Sequence, residues 1–286
     1  MIKLFITFFM LSSYLHSDFT IDFIRAYVHG SEMQRRSALS FIAPHLQKLS
    51  GDESILDIGC GDGRISADVS AFVPEGMVIG IDPSSSMVTW AKKQYPPLEY
   101  PFLSFQRGEF LKPNLTGSFD LILSTYALQH CADPVAAFRI MQKLLKPQGK
   151  LLLLLHTFDN EAWNEAMKTL RSSSKWSSYF ENHEIKKPLT LEEYEELLYL
   201  VHLEPLKIKK RQTLDPFIDR QEFLQFLLGS FTPPSLLKNV KKTMEFHNEL
   251  IDEYLRLLPS ALKADGVIEA RLGRIEIEAV NTFSSF

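Results

Sequence analysis

Apolar and polar positions change period several times along the chain, and each change marks an element. In FTIDFIRAYVHGSEMQRRSALSFIAPHLQKL, Leu39, Ile42 and Leu46 recur at helical spacing, which predicts one or two helices. Gly51-Asp52 is a turn signal, and SILDI then predicts a strand over 54–58 that stops at a glycine cluster. GRISADVSAFV reads as a helix closed by Pro74-Glu75-Gly76. MVIGID is a second apolar strand, followed by a helix in SSSMVTWAKKQ with Ser84 to Ser86 as capping candidates. Strands are predicted over 102–107 and 119–124, then a helix in DPVAAFRIMQKLL with Pro134 in the permitted first turn. Pro147-Gln148-Gly149 reads as a turn before KLLLLLHTF, whose five consecutive leucines lack alternation, as in a strand covered on both faces. Strands alternating with helices over 54–158 predict a doubly wound α/β parallel sheet.

Beyond Asp159 the pattern turns mainly helical. NEAWNEAMKTL and TLEEYEELLYLVHL read as helices, the second opened by a Thr190/Glu193 capping box. PLKIKKRQTL is a candidate strand. DRQEFLQFLLGS and PPSLLKNVKKTMEFHNELIDEYLRLL are helices, the latter opened by Pro233-Pro234. ADGVIEARLGRIEIEAV reads as two short strands joined around Gly273. No internal repeat or long linker separates the halves. The expectation is a single domain over 18–286, with a core at 54–158 and a cap plus sheet completion at 159–286.

The 286 residues, 45% apolar and 23% charged, exclude a disordered chain, a collagen-like repeat and a polytopic membrane protein. The formal charge of −4 does not suit nonspecific nucleic-acid binding, so nucleic acid is not expected as a partner. Two cysteines, Cys60 and Cys131, fit a reducing compartment. Residues 1–17 place Lys3 before the apolar run Leu4 to Leu11, which has the form of a short signal peptide but not the length of a bilayer span. The rest of the chain points to the cytoplasm, so this segment is expected to be an extension or a first helix, without stable membrane insertion. A monomer or weak homodimer is expected.

ILDIGCGDGRIS, followed by VIGIDPSS, carries the chemistry. Gly59, Gly61 and Gly63 leave a strand and enter a helix, permitting backbone angles and close approaches that side chains forbid. Asp82 lies 23 residues after Gly59, at the end of the next strand, where its carboxylate can accept hydrogen bonds from a ribose diol. Asp57 ends the first strand, placed to anchor the loop or meet a cationic ligand group. The full GxGxxG pattern needs glycine where Arg64 stands, so a pyrophosphate clamp is not expected.

As a set, DIGCGDG, GIDPSSSM, SFDLILSTYALQH and LLKPQGKLLLLL resemble the motifs of the class I methyltransferases that use S-adenosylmethionine. The resemblance covers about residues 55–155. It implies strand order 3-2-1-4-5-7-6 with the seventh antiparallel, PLKIKKRQTL and VIEARLGRIEIEAV supplying the last two strands, and a helical cap. It also implies that Gly59, Gly61 and Gly63, with Cys60 packed in their loop, surround the methionine moiety. Asp57 and Ser124 belong to the same site, and Asp82 to the ribose. Glu109 corresponds to the acidic residue that meets the adenine amino group, more often Asp in the family. Phe110 packs on the adenine, with Pro83 and Met87 on its other face. Gln148 stands where glycine is common, in a turn remote from the cofactor. The basic quartet Lys207, Lys209, Lys210 and Arg211 reads as a solvated strand.

Two stretches resemble small-molecule carboxyl methyltransferases of the trans-aconitate and juvenile-hormone-acid types. MQRR maps Gln34 onto a glutamine that contacts the acceptor carboxylate. YALQH keeps Gln129 but places His130 where relatives carry tryptophan, so His130 is either a substitute donor or a general base toward a hydroxyl. Arg35 or Arg36 can attract an acidic acceptor. Tyr27, Tyr126, Trp163 and Phe217 are cap or pocket candidates, though aromatics at helical spacing are more often core. His156 either faces the cleft or is structural. No cluster has metal-ligand spacing, so no metal is expected. The resulting expectation is O-methylation of a small acidic metabolite by in-line displacement. C-methylation of a quinone or isoprenoid precursor, RNA methylation and a non-catalytic regulator are the alternatives.

Overall fold

The computed structural model describes residues 21–157, 160–181, 189–230, 236 and 239–283. The leader-like segment 1–17 and Pro233-Pro234 lie outside them.

Seven strands form one sheet: β1 Ser54–Ile58, β2 Met77–Asp82, β3 Leu103–Arg107, β4 Phe119–Thr125, β5 Leu145–Thr157, β6 Leu203–Phe217 and β7 Ile268–Asn281. Their order is β3-β2-β1-β4-β5-β7-β6. The first five pair in parallel, and β7 runs antiparallel to both β5 and β6. The helices are α1 Ile21–Gly30, α2 Glu32–Leu46, α3 Arg64–Ser70, α4 Ser85–Gln94, α5 Pro134–Leu144, α6 Glu161–Ser172, α7 Leu191–Leu200, α8 Arg220–Ser230 and α9 Val240–Leu257.

Local chemistry sets the helix starts. The Ser84 hydroxyl accepts from the Met87 N–H at 3.3 Å, and the Asp133 carboxylate from the Ala136 N–H at 3.0 Å. Thr190 and Glu193 complete the reciprocal capping box, at 3.1 and 2.7 Å. The α9 helix differs from the reading of the sequence. It begins at Val240, capped by Asn239 accepting from the Lys242 N–H at 3.0 Å.

The leucine run of β5 shows why its sequence lacks alternation. Leu151, Leu153 and Leu155 pack with Phe138 and Met141 of α5, whereas Leu152 and Leu154 pack with Ala38, Phe41 and Ile42 of α2. Burying each leucine contributes about 2 kcal/mol, so both layers are anchored on this strand.

Two strand boundaries depart from the expectation. Pro147-Gln148-Gly149 lies within β5, where the register against β4 shifts between Phe119 and Leu121 and Gln148 takes φ of 63°. Gly273 does not divide the last segment either. Pairing to β5 ends at Gly273, opposite Thr157, while β6 pairs on through Gln212 to Phe217, so one 14-residue strand runs through the glycine.

A third apolar cluster lies beside the C-terminal end of β5. It joins Trp163 and Leu170 of α6, Phe223 and Phe226 of α8, and Phe246 and Tyr254 of α9. The α1 helix crosses α8 closely: a Cβ at Gly30 would lie 2.4 Å from the Gln225 carbonyl carbon. No helix among the described residues is long and apolar enough to cross a membrane.

Candidate active site

The glycine loop leaves β1 in a conformation set by three left-handed residues, with φ of 83° at Gly59, 54° at Gly61 and 84° at Gly63. The turn is held from β2, because the Gly59 and Cys60 N–H groups donate to the Ile81 carbonyl at 2.8 and 3.0 Å. A Cβ at Gly59 would lie 2.2 Å from the Ala127 Cβ, so the loop also fixes the segment after β4. Asp82 caps both sides. One carboxylate oxygen accepts from the Gly61 N–H at 3.0 Å, the other from the Ser84 N–H at 2.9 Å. Burial pushes this carboxyl up to about 6 against those two bonds.

Above the loop, α1 and α2 wall a partly open pocket lined by Tyr27, Ser31, Gln34, Asp57, Thr125 and Tyr126 among others. Asp57 is 1% exposed. The Ser66 hydroxyl donates to one of its oxygens at 2.6 Å, while the other is buried without a hydrogen-bond partner among the described residues. Burial lifts this carboxyl to about 7. A buried carboxylate with an orphaned oxygen on a cavity wall calls for a cationic ligand group.

Arg64, which reads in the sequence only as the break in a glycine pattern, pins the α1–α2 turn beside this cavity. Its guanidinium donates to Asp62 and to the Val28 carbonyl, both at 2.8 Å, and to the Ser31 hydroxyl. Arg35 pairs with both oxygens of Asp68 at 2.7 and 2.8 Å, tying α2 to α3.

The remaining residues singled out in the sequence fall into several places. Gly59, Cys60, Asp57 and Gln34 line the cavity, with Cys60 buried and its thiol pushed well up by burial. Asp82, Pro83, Met87, Glu109 and Phe110 gather at the ends of β2 and β3, where the Gly108 N–H donates to the Asp82 carbonyl at 3.1 Å. Met87 and Phe110 are buried there. The Ser124 hydroxyl donates to the Ile58 carbonyl at 2.7 Å, so it joins β1 to β4. Gln129 and His130 lie in a short turn of helix after β4, lining neither large cavity. Gln129 donates to the Tyr126 carbonyl at 2.9 Å, and burial holds the His130 imidazole down to about 4.

A second cavity, partly open and mostly apolar, lies at the end of β5. Its walls include His156, Trp163, Phe223, Phe226, Leu227 and Tyr254. Tyr126 of the first cavity and His156 of the second have ring centroids 4.3 Å apart, so the two form a shared wall. Trp163 thus reaches the pocket, whereas Phe217 packs in the apolar cluster beneath. Arg274 and Asp215, which no local motif marks, meet near this wall. They come from strands 59 residues apart in the chain.

The strand order, the glycine loop capped by Asp82 and the orphaned Asp57 oxygen together define a class I methyltransferase that uses S-adenosylmethionine. The residues fit that cofactor: Asp57 has an oxygen left to accept from an ammonium, and Asp82 retains lone pairs that would suit a diol. Residues 49–202 match the family described as "Methyltransferase domain", and the chain belongs to it.

Among curated proteins, the chain is 33% identical to the juvenile hormone acid O-methyltransferase of Drosophila melanogaster, over 55% of this chain and 56% of that one. It is also 33% identical to the trans-aconitate 2-methyltransferase of Deinococcus radiodurans, over 41% of this chain and 45% of that one. The match therefore spans about half the length of these two enzymes. Among solved structures, the phosphoethanolamine N-methyltransferase 2 of Haemonchus contortus, in complex with S-adenosyl-L-methionine, shares the fold. Its TM-score is 0.61 at 17% identity, covering 97% of this chain and 61% of that one.

Proposed function

We propose that this methyltransferase transfers a methyl group to an oxygen of a small acidic molecule with an apolar body. The apolar cavity beside His156 carries the reading, because it adjoins the cofactor cavity across a single pair of rings. Trp163, Phe223, Phe226 and Tyr254 supply walls suited to hydrocarbon or an aromatic ring, with a polar end toward the Tyr126–His156 wall. The two relatives named for O-methylation of an acid and for trans-aconitate are in keeping with an acidic head.

The protonation states support an acceptor that arrives ionised. Burial lowers His156 to about 3 and His130 to about 4, so both imidazoles are neutral and weakly basic near neutral pH. A weak base removes a hydroxyl proton poorly, whereas a carboxylate needs no base.

When bound, S-adenosylmethionine supplies an electrophilic methyl carbon on a sulfonium. The chain's own part is positioning. Asp57 and Asp82 hold the two ends of the cofactor, and Tyr27 with the Arg64-latched turn excludes water. Gln34 offers an amide on the cofactor side of the shared wall.

The test is incubation of the purified chain with cofactor and a panel of carboxylic acids and matched alcohols, read by mass spectrometry for methyl esters or ethers. Ester formation on acids with apolar bodies is expected. Methylation of the alcohols alone, or of none of the panel, overturns the reading.

A further inference from the structure

The β5–β7 pairing sets Arg274 directly opposite His156, so the two side chains share a face of the sheet. Arg274 is 7% exposed. One terminal nitrogen donates to Asp215 at 2.7 Å and lies 3.1 Å from the Met33 sulfur. Asp215 is satisfied on its other oxygen by the Thr213 hydroxyl at 2.6 Å. The Arg274 Nε is buried and has no hydrogen-bond partner among the described residues. A guanidinium on the catalytic end of the sheet therefore keeps one donor in reserve. Leaving a buried charged donor unmade is costly unless something else satisfies it.

The position of that donor is specific. Arg274 is the largest charge acting on Tyr126, after burial, and it contributes to the depression of His156. These are the two rings that separate the cavities, and Arg271 and Leu272 of the same strand line the apolar one. The positive charge thus lies beside the Tyr126–His156 wall that stands between the two cavities. Its salt bridge to Asp215 fixes the planar fork, so little entropy is lost when a second acid arrives.

We propose that Arg274, held by Asp215 and Met33, reads the carboxylate of the acceptor through its free Nε–H and selects acids over neutral molecules of the same shape. The assignment rests on the acidic-acceptor reading above and adds the residue that recognises the charge. Gln34 then supplies a neutral contact from the opposite helix, and the apolar cavity takes the rest of the molecule without discriminating charge.

The experiment compares the native chain with Arg274→Met/Asp215→Leu, which removes the buried pair together and leaves no charge stranded. Arg274→Lys is the conservative variant, keeping charge but losing the fork. Decanoic acid and decanol are titrated into each protein saturated with S-adenosylhomocysteine, and decanoate turnover is measured alongside.

Loss of acid affinity by about tenfold or more is expected in the double variant, the range of one charge-assisted hydrogen bond. Decanol binding and S-adenosylhomocysteine affinity should hold, with partial recovery in Arg274→Lys. Equal losses for decanoate and decanol would mark the pair as structural and overturn the proposal, as would native acid preference in the double variant. In either case, native turnover of decanoate leaves the acidic-acceptor reading standing. No binding or turnover of decanoate by the native chain overturns both.

Discussion

Replacing Arg64 by methionine keeps the apolar stem and removes the guanidinium that pins the α1–α2 turn over the glycine loop. Its contact to Glu32, at 3.4 Å with that carboxylate 38% exposed, contributes only about 0.5 kcal/mol after screening. The bonds to the Val28 carbonyl and the Ser31 hydroxyl pin the α1–α2 turn, each contributing about 1.5 kcal/mol as charged donors to neutral acceptors. The largest effect is at Asp62, whose side chain is 8% exposed and which the variant leaves as an uncompensated buried carboxylate. That costs about 3 kcal/mol. Because these groups form one network, their effects do not add, and a total loss of about 4 kcal/mol is expected.

In a chain of this size such a loss lowers Tm by roughly 10 °C. The cavity wall carrying Tyr27 and Ser31 should loosen as well, weakening S-adenosylhomocysteine binding by about tenfold or more. The pH dependence isolates Asp62. Burial raises its carboxyl above the ordinary value while Arg64 opposes the rise, so the variant raises it further. A folded-state pKa above the unfolded one means that protonation favours the folded form. The variant's deficit should therefore be largest at neutral pH and shrink as the solution is acidified. Asp62→Asn in the variant background should recover most of the loss at neutral pH. Thermal melts across pH with parallel calorimetry test this. A deficit independent of pH, or native cofactor affinity in Arg64→Met, would refute the latch.

Cofactor binding should release protons near neutral pH, because Asp57 and Asp82 are raised to about 7 and about 6 and the contacts proposed for them require carboxylates. S-adenosylhomocysteine affinity should fall as pH drops through that window, and calorimetry in buffers of different ionisation enthalpy reads the proton count. Gly59→Ala should destabilise the loop by at least about 2 kcal/mol, combining left-handed strain with the Ala127 overlap. Ala127→Gly should relieve only the overlap, so full rescue in a denaturant titration would contradict the strain component. Gly30→Ala should force α1 away from α8 and weaken both S-adenosylhomocysteine and decanoate binding, since those helices wall the two cavities. Loss of one ligand alone would show that the crossing does not join them. Thr190→Ala should cost about 1 kcal/mol by removing the capping box, with cofactor affinity unchanged.

What could be read from the chain follows the range of the interactions that carry the signal. Strand 54–58 and the glycine loop are specified within a few residues, by β-formers that stop where only left-handed backbone fits, and the structure reproduces them. The strand through Gly273 was not legible as one element, because glycine breaks the local pattern while the long pairing with β6 supplies the hydrogen bonds that carry the strand past it. Gln148 likewise reads as turn chemistry, yet β5 absorbs its left-handed conformation as an irregularity against β4.

The site divides in the same way. Asp57, Gly59 and Asp82 lie at strand ends that a local motif predicts, and each is where the motif puts it. Arg64 stood in plain view, but its structural part did not. It breaks a pyrophosphate pattern, whereas its partners Val28 and Ser31 lie 36 and 33 residues away on helices whose docking no local rule encodes. Arg274 and Asp215 left no signal at all, since alternating charges on two terminal strands look like a solvated edge. Antiparallel β7 brings that pair beside His156, and pairing across 118 residues of sequence converts a surface-like arginine into a buried charge at the methyl-transfer end of the sheet.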